Sequence, residues 1–190
     1  MLKKLKIVFT GIIFIYLFPF LCYAGQEYYS FPAANFRGEW QISEVEDAKV
    51  LLTNKADVVG HLDAEVPKGG HYQLYINLYH KWRESCPFLY IEALDSKGVQ
   101  HCGYLFSEPR WYLKENEGRW EMRSPSASPY WHLPRGQLEI KFWVEAKSSC
   151  WEQKKTNMEG IVAIRKIILI PVDINNKSQN HLRPDAFGSE

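Results

Sequence analysis

Excess charge of either sign is missing from this 190-residue chain, in which 23 Lys and Arg stand against 22 Asp and Glu. Such a balance excludes a protein built mainly to hold nucleic acid or an anionic membrane surface. The chain also lacks an apolar run long enough to cross a bilayer, because Ile7 to Leu21 supplies about 15 residues against the roughly 20 required. Catalytic motifs are absent as well: there is no Gly-x-Ser-x-Gly elbow, no phosphate-cradling Gly loop and no His-Glu-x-x-His stretch. Glu139 and Glu145 share one strand face, but six extended residues hold them about 20 Å apart. A glycosidase pair needs roughly 5 to 9.5 Å. Glu84 with Glu152, from distant loops, stays geometrically open. No long stretch carries helical period and no internal repeat occurs, which disfavours the α/β enzyme folds.

Cysteine is sparse, with four residues. Cys22 belongs to an opening segment that reads as an export signal: Lys3, Lys4 and Lys6, then the apolar run, then Cys22-Tyr23-Ala24 as a cleavage site before Gly25. A lipidated Cys22 would want a small residue before it, and Leu21 stands there. Cleavage over 1–24 removes three lysines, leaving 20 cationic against 22 acidic residues, a net charge of −2. Export, to the periplasm or beyond the cell, exposes the remaining cysteines to an oxidising compartment. Cys86 and Cys150 fall in breaks between strand-like runs whereas Cys102 lies inside one, so the expected disulfide joins Cys86 to Cys150. A metal reading of the cysteines with His80 and His101 fails on spacing, because no Cys-x-x-Cys or His-x-x-x-His pair occurs.

What the chain has in quantity is alternation. In GHYQLYINLYH, Tyr72, Leu74, Ile76 and Leu78 take one face, and His71, Gln73, Tyr75, Asn77 and Tyr79 the other. PFLYIEALD sets Leu89, Ile91 and Ala93 inward, and Asp95-Ser96-Lys97-Gly98 then predicts a hairpin turn into VQHCGYLF. QLEIKFWVEA alternates Leu138, Ile140, Phe142 and Val144 against Glu139, Lys141, Trp143 and Glu145. The β-branched run Ile161 to Val172 suits a central strand, and Gly60 to Val66 reads as a weaker, short strand before the Pro67-Lys68-Gly69-Gly70 turn. Glu39 to Ile42 and Lys49 to Leu52 read as short strands, with a hint of helical turn over Ser43 to Lys49. About eight strands between Gly, Pro, Asn and Asp turns predict an all-β fold, an antiparallel β-sandwich of jelly-roll type. Its expected bounds are 31–172, after a lead over 25–30 and before a polar tail over 173–190.

Aromatic residues reach 15%, and all seven Trp lie beyond the export segment. Trp40 is expected in the core and Trp143 on an outer sheet face. Tyr79, Trp82, Trp111, Tyr112, Tyr130, Trp131 and Trp151 fall near loops, where a ring can stack on the apolar face of a sugar while polar side chains meet its hydroxyls. A Cys86–Cys150 bond would place Trp82 and Trp151 at one end of the sandwich. Arg110, Arg119, Arg123 and Arg135 lie near these rings and could meet an acidic sugar.

Five pieces of the chain, FPAANFRGEW, VPKGGHYQLYINLY, LYIEALDSKG, GRWEMR leading to HLPRGQLEIKFW, and GIVAIRKIILIPV, together resemble carbohydrate-binding modules of families six and thirty-five and their galactose-binding-domain-like relatives. The resemblance covers most of 31–172 and implies the same sandwich. It maps the family's stacking Trp to Trp120 and its sugar-bonding Asn to Asn157, with Ala163 and Arg165 in the closing strand. Where the family has an acidic ligand for a structural Ca²⁺, this chain has Ala34, followed by Asn35, and an alanine side chain offers no oxygen. The expectation is an exported, non-catalytic protein that binds a glycan or cell-envelope polysaccharide, with Tyr79, Trp82, Trp120, Trp131, Trp151 and Asn157 as ligand-binding residues. No catalytic residue, metal, cofactor or nucleic acid is expected, and no membrane span after cleavage. The alternative is a structural module that docks another protein of the bacterial cell envelope.

Overall fold

The computed structural model describes residues 27–82, 85–101, 117–124, 130–148 and 154–174. Eleven strands run in order along them: β1 (Tyr29–Pro32), β2 (Phe36–Gly38), β3 (Gln41–Val45), β4 (Ala48–Thr53), β5 (Val59–Val66), β6 (Gly70–Trp82), β7 (Cys86–Asp95), β8 (Arg119–Arg123), β9 (Tyr130–Leu133), β10 (Gly136–Lys147) and β11 (Gly160–Pro171). A single 3-10 turn, Ala33–Asn35, interrupts them. The larger sheet has the order β3-β4-β11-β6-β8, with β1 on β11 and β9 on β6; the smaller is β2-β5-β10-β7. All pairings are antiparallel, as the all-β reading requires.

Alternation places the core between the two sheets. Leu74, Ile76 and Leu78 of β6, Ile164, Ile167 and Leu169 of β11, Leu89 and Ile91 of β7, and Ile140, Phe142 and Val144 of β10 form one buried cluster. Each large apolar side chain so buried contributes roughly 1.5–3 kcal/mol. Trp40 joins this cluster as expected, donating its indole N–H to Val58 O at 3.0 Å and meeting Phe142 edge-on at 5.1 Å. The β-branched run forms β11, which pairs with β4 on one side and β6 on the other, a central strand. Asp95 to Gly98 makes the expected hairpin turn, with Asp95 Oδ1 accepting from the amides of Lys97 and Val99 at 2.8 and 2.9 Å. The return arm pairs Gln100 with Leu94.

One expectation needs correction. The hint of helix over Ser43 to Lys49 is instead the β3–β4 hairpin, in which Glu46 and Asp47 both take positive φ, 49° and 63°. Two adjacent residues in that region make the turn twist with the strands and leave no room for a helical turn. The second face of β6 lies on the outside of the large sheet, as alternation requires, yet its Gln73, Tyr75 and Tyr79 are buried. The outer face of the large sheet carries its own apolar layer: Val50, Tyr79 and Ala163 pack with Trp120 and Leu52, and Tyr75 packs with Ile168, Ile170 and Met122.

Candidate functional site

The outer face of the small sheet is built differently. Strict alternation sends Leu138, Ile140, Phe142 and Val144 of β10 inward, leaving Glu139, Lys141, Trp143 and Glu145 outside. Register then fixes their neighbours. Trp143 lies between Val59 and Tyr90, Lys141 between His61 and Glu92, and Glu139 between Asp63 and Leu94. Arg37 of β2 extends the middle row beside His61.

Two half-buried rings head this surface. Trp143 and Tyr90 are stacked, with centroids 5.6 Å apart and planes 11° apart. Burial, reinforced by the adjacent Glu145 carboxylate that its hydroxyl meets, pushes the Tyr90 phenol up to about 12.

Along the same strand, about 13 Å from Trp143, Glu139 gathers three cationic or ionisable partners. Its Oε1 lies 2.8 Å from His61 Nδ1 and accepts from Arg37 Nη2 at 3.4 Å, while Oε2 lies 3.5 Å from Lys141 Nζ. Arg37 also grips Asp63 in a two-pronged contact, Nε to Oδ2 at 2.9 Å and Nη2 to Oδ1 at 2.8 Å. That hydrogen bonding holds the Asp63 carboxyl below the usual carboxylate range. Beside these groups opens a hollow of about 490 Å³ whose polar walls include Arg37, Asp63, Asp95, Gln137, Glu139 and Lys141. An aromatic pair on the same sheet face as a polar hollow offers an apolar seat for a ring and fixed donors and acceptors for hydroxyls.

The residues singled out from the sequence are placed as follows. Tyr79 and Trp120 come together, as direct cross-strand neighbours with centroids 5.3 Å apart, but on the outer face of the large sheet. Tyr79 is 7% exposed there, so it serves that apolar layer more than solvent. Trp82 ends β6, half-buried, opposite Gly160 at the start of β11, and the exposed Asn157 lies in the segment just before Gly160. These two therefore share one end of the sandwich. Trp131 is a correction: it lies in β9, not in a loop, opposite Tyr72, and at 1% exposure its ring belongs to the core. A ring with no open face cannot seat a sugar. It also lies ten residues of β6 away from Trp82, about 33 Å. Trp111, Tyr112, Cys150, Trp151, Arg110, Glu84 and Glu152 fall outside the described residues, as does the export segment. The backbone of Cys86 pairs with Lys147.

His80 and His101 do not meet each other. His101 faces Asp95 Oδ2 at 2.9 Å, whereas His80 lies 3.7 Å from Glu121, itself bonded by Arg123 at 2.7 Å. Ala163 is buried in the outer apolar layer, and Arg165 occupies the register shift between Ile164 and Lys166. Ala34 lies in the 3-10 turn.

Trp143 and Tyr90 were legible as outward-facing residues, yet nothing in either strand alone said that their rings would meet. The signal was present in a combined form: two outward aromatics at matching depths of the two longest alternating runs of one sheet.

No family model and no curated protein matches the sequence. Among solved structures, the xylan-binding module CBM15 is similar at 11% identity and a TM-score of 0.50, over 78% of this chain and 99% of its own. A family 35 carbohydrate-binding module from Clostridium thermocellum is similar at 10% identity and a TM-score of 0.43, over 77% of this chain and 99% of its own. The isomalto-dextranase of Arthrobacter globiformis matches over 75% of this chain at 12% identity and a TM-score of 0.49. This chain covers 23% of that enzyme, less than a quarter of its length. At such identities the likeness concerns the fold. The chain has the antiparallel β-sandwich, of jelly-roll type, that carbohydrate-binding modules have.

Proposed function

We infer that this is an exported, non-catalytic protein that binds a glycan or cell-envelope polysaccharide on the outer face of its small sheet. The observation that carries the reading is the stacked Trp143–Tyr90 pair set in one face with the Glu139 cluster and its polar hollow. A sugar needs that combination: an apolar ring face to cover and edge hydroxyls to pair. The exported character rests on the opening segment, with a mature chain starting at Gly25, and the non-catalytic character on the missing motifs.

The reading moves the centre of binding from loop aromatics to a sheet face. Trp82 and Asn157 at the sandwich end remain a second candidate place, because they share that end and Trp82 Nε1 is buried with no hydrogen-bond partner among the described residues. A glycan array on the purified mature protein separates the two. Trp143→Ala or Tyr90→Ala should weaken binding about tenfold or more, as loss of a central aromatic anchor does, while Trp82→Ala leaves it within error. The reverse pattern would move the site to the sandwich end. No bound glycan, with retained fold by circular dichroism, would favour the docking role toward another envelope protein.

A further inference from the structure

We propose that His71 and His132 form a two-imidazole binding site for a divalent late transition metal such as Zn²⁺, Ni²⁺ or Cu²⁺ on the outer face of the large sheet. They are direct cross-strand partners on β6 and β9, so their Cβ atoms stand about 5 Å apart. Their ring centroids are 4.9 Å apart, with planes at 67°. Metal–nitrogen bonds of about 2.0–2.1 Å put each ring centre about 3.2 Å from a shared metal. Two centres 4.9 Å apart then subtend an angle of about 100° at that metal, between the square and tetrahedral values these ions adopt. The torsion that turns an imidazole has a broad, shallow profile, so aiming both donor nitrogens at one point takes little energy.

What separates this pair from the other described histidines is that it is uncommitted. His61, His80 and His101 each face a carboxylate. The side chains of His71 and His132 make no hydrogen bond or ion pair among the described residues; their contact is with each other. His132 is exposed and His71 half-exposed, so an ion can reach them and water can fill the remaining positions. His71 also lines a hollow of about 240 Å³ that Glu27 and Lys68 share. The carboxylate there favours a cation and the ammonium opposes it, which makes the imidazole pair the deciding element. A metal held between two strands would also clip β9 to β6 and stabilise the sheet.

The test uses tag-free mature protein, since a polyhistidine tag would mask the signal. Calorimetric titration with Zn²⁺, Ni²⁺ and Cu²⁺ should show one binding event per chain with at least one of them, together with a raised melting temperature. His71→Gln and His132→Gln should each weaken binding by at least about tenfold, since even groups that merely orient metal ligands are worth 10–100-fold. Both should also abolish the metal-dependent rise in melting temperature while leaving the metal-free melting temperature near wild type. His61→Gln and His101→Gln should leave binding intact. Binding that survives both β6 and β9 substitutions, or no binding by any of the three ions, would overturn the proposal.

Discussion

Gly60 has no space for a side chain, because a Cβ there would lie 2.1 Å from Phe142 Cε2. The Phe142 ring cannot retreat, being held by Phe36 at 5.4 Å and Trp40 at 5.1 Å. Gly60→Ala should therefore destabilise the protein by about 1–3 kcal/mol, the range for overpacking a core, as read from the urea midpoint. Asp95 is constrained by charge rather than space. Its bond with His101, then the backbone amides of Val99 and Lys97, bring its carboxyl down to about 2. In the unfolded chain the carboxyl titrates at about 3.9, so the contribution to stability is complete above about pH 5 and disappears as pH falls toward 2. Urea midpoints measured from pH 5 to 2 should show the gap between wild type and Asp95→Asn closing over that window. A gap that stays constant would mean the turn draws nothing from the charge.

Single elements carry strain of a different kind. The β3–β4 hairpin turns on Glu46 and Asp47, both at positive φ where side chains clash with the backbone. Replacing them by Asn and Gly, the pair this two-residue turn prefers, should raise stability by about 1 kcal/mol, visible as a higher melting temperature. β6 shows how far one strand's pattern can be read. Its inner set, Tyr72, Leu74, Ile76 and Leu78, follows from alternation and is buried as expected. Its other set contains Tyr75 and Tyr79, amphipathic residues that suit water or a core equally well. Neighbouring strands decide the matter, since Ile168 comes to lie beside Tyr75, and Ala163 and Trp120 beside Tyr79. In β10 the outer set is polar or charged apart from Trp143, and there alternation and structure agree.

At the scale of the molecule, the two sheets differ in what they show to solvent. The large sheet covers much of its outer face with apolar side chains, and the small one presents an aromatic pair and a charged hollow. The Cys86–Cys150 bond belongs to this scale because it would tie β7 to the chain beyond β10. Cys86 already pairs with Lys147 through the backbone, three residues before Cys150. Peptide mapping without reduction should recover the two cysteines linked, and reductant should lower stability by about 2–4 kcal/mol. A peptide joining Cys102 to either partner would reject that pairing.

Alternation along the chain was enough to define the long strands β6, β7 and β10, their two faces and the sandwich, because a two-residue period with turn residues between runs admits few other solutions, whereas the short β1, β2 and β9 carry too few residues to show a period. It was enough also for Trp40 in the core and Trp143 outside. Which aromatics meet was decided in three dimensions. Trp131 went into the core, Tyr79 and Trp120 onto the large sheet, and Trp143 against Tyr90, because cross-strand register sets those distances and register depends on pairings between distant segments. For the same reason His71 and His132, 61 positions apart in sequence, could be read as facing histidines only after β6 and β9 were seen to pair.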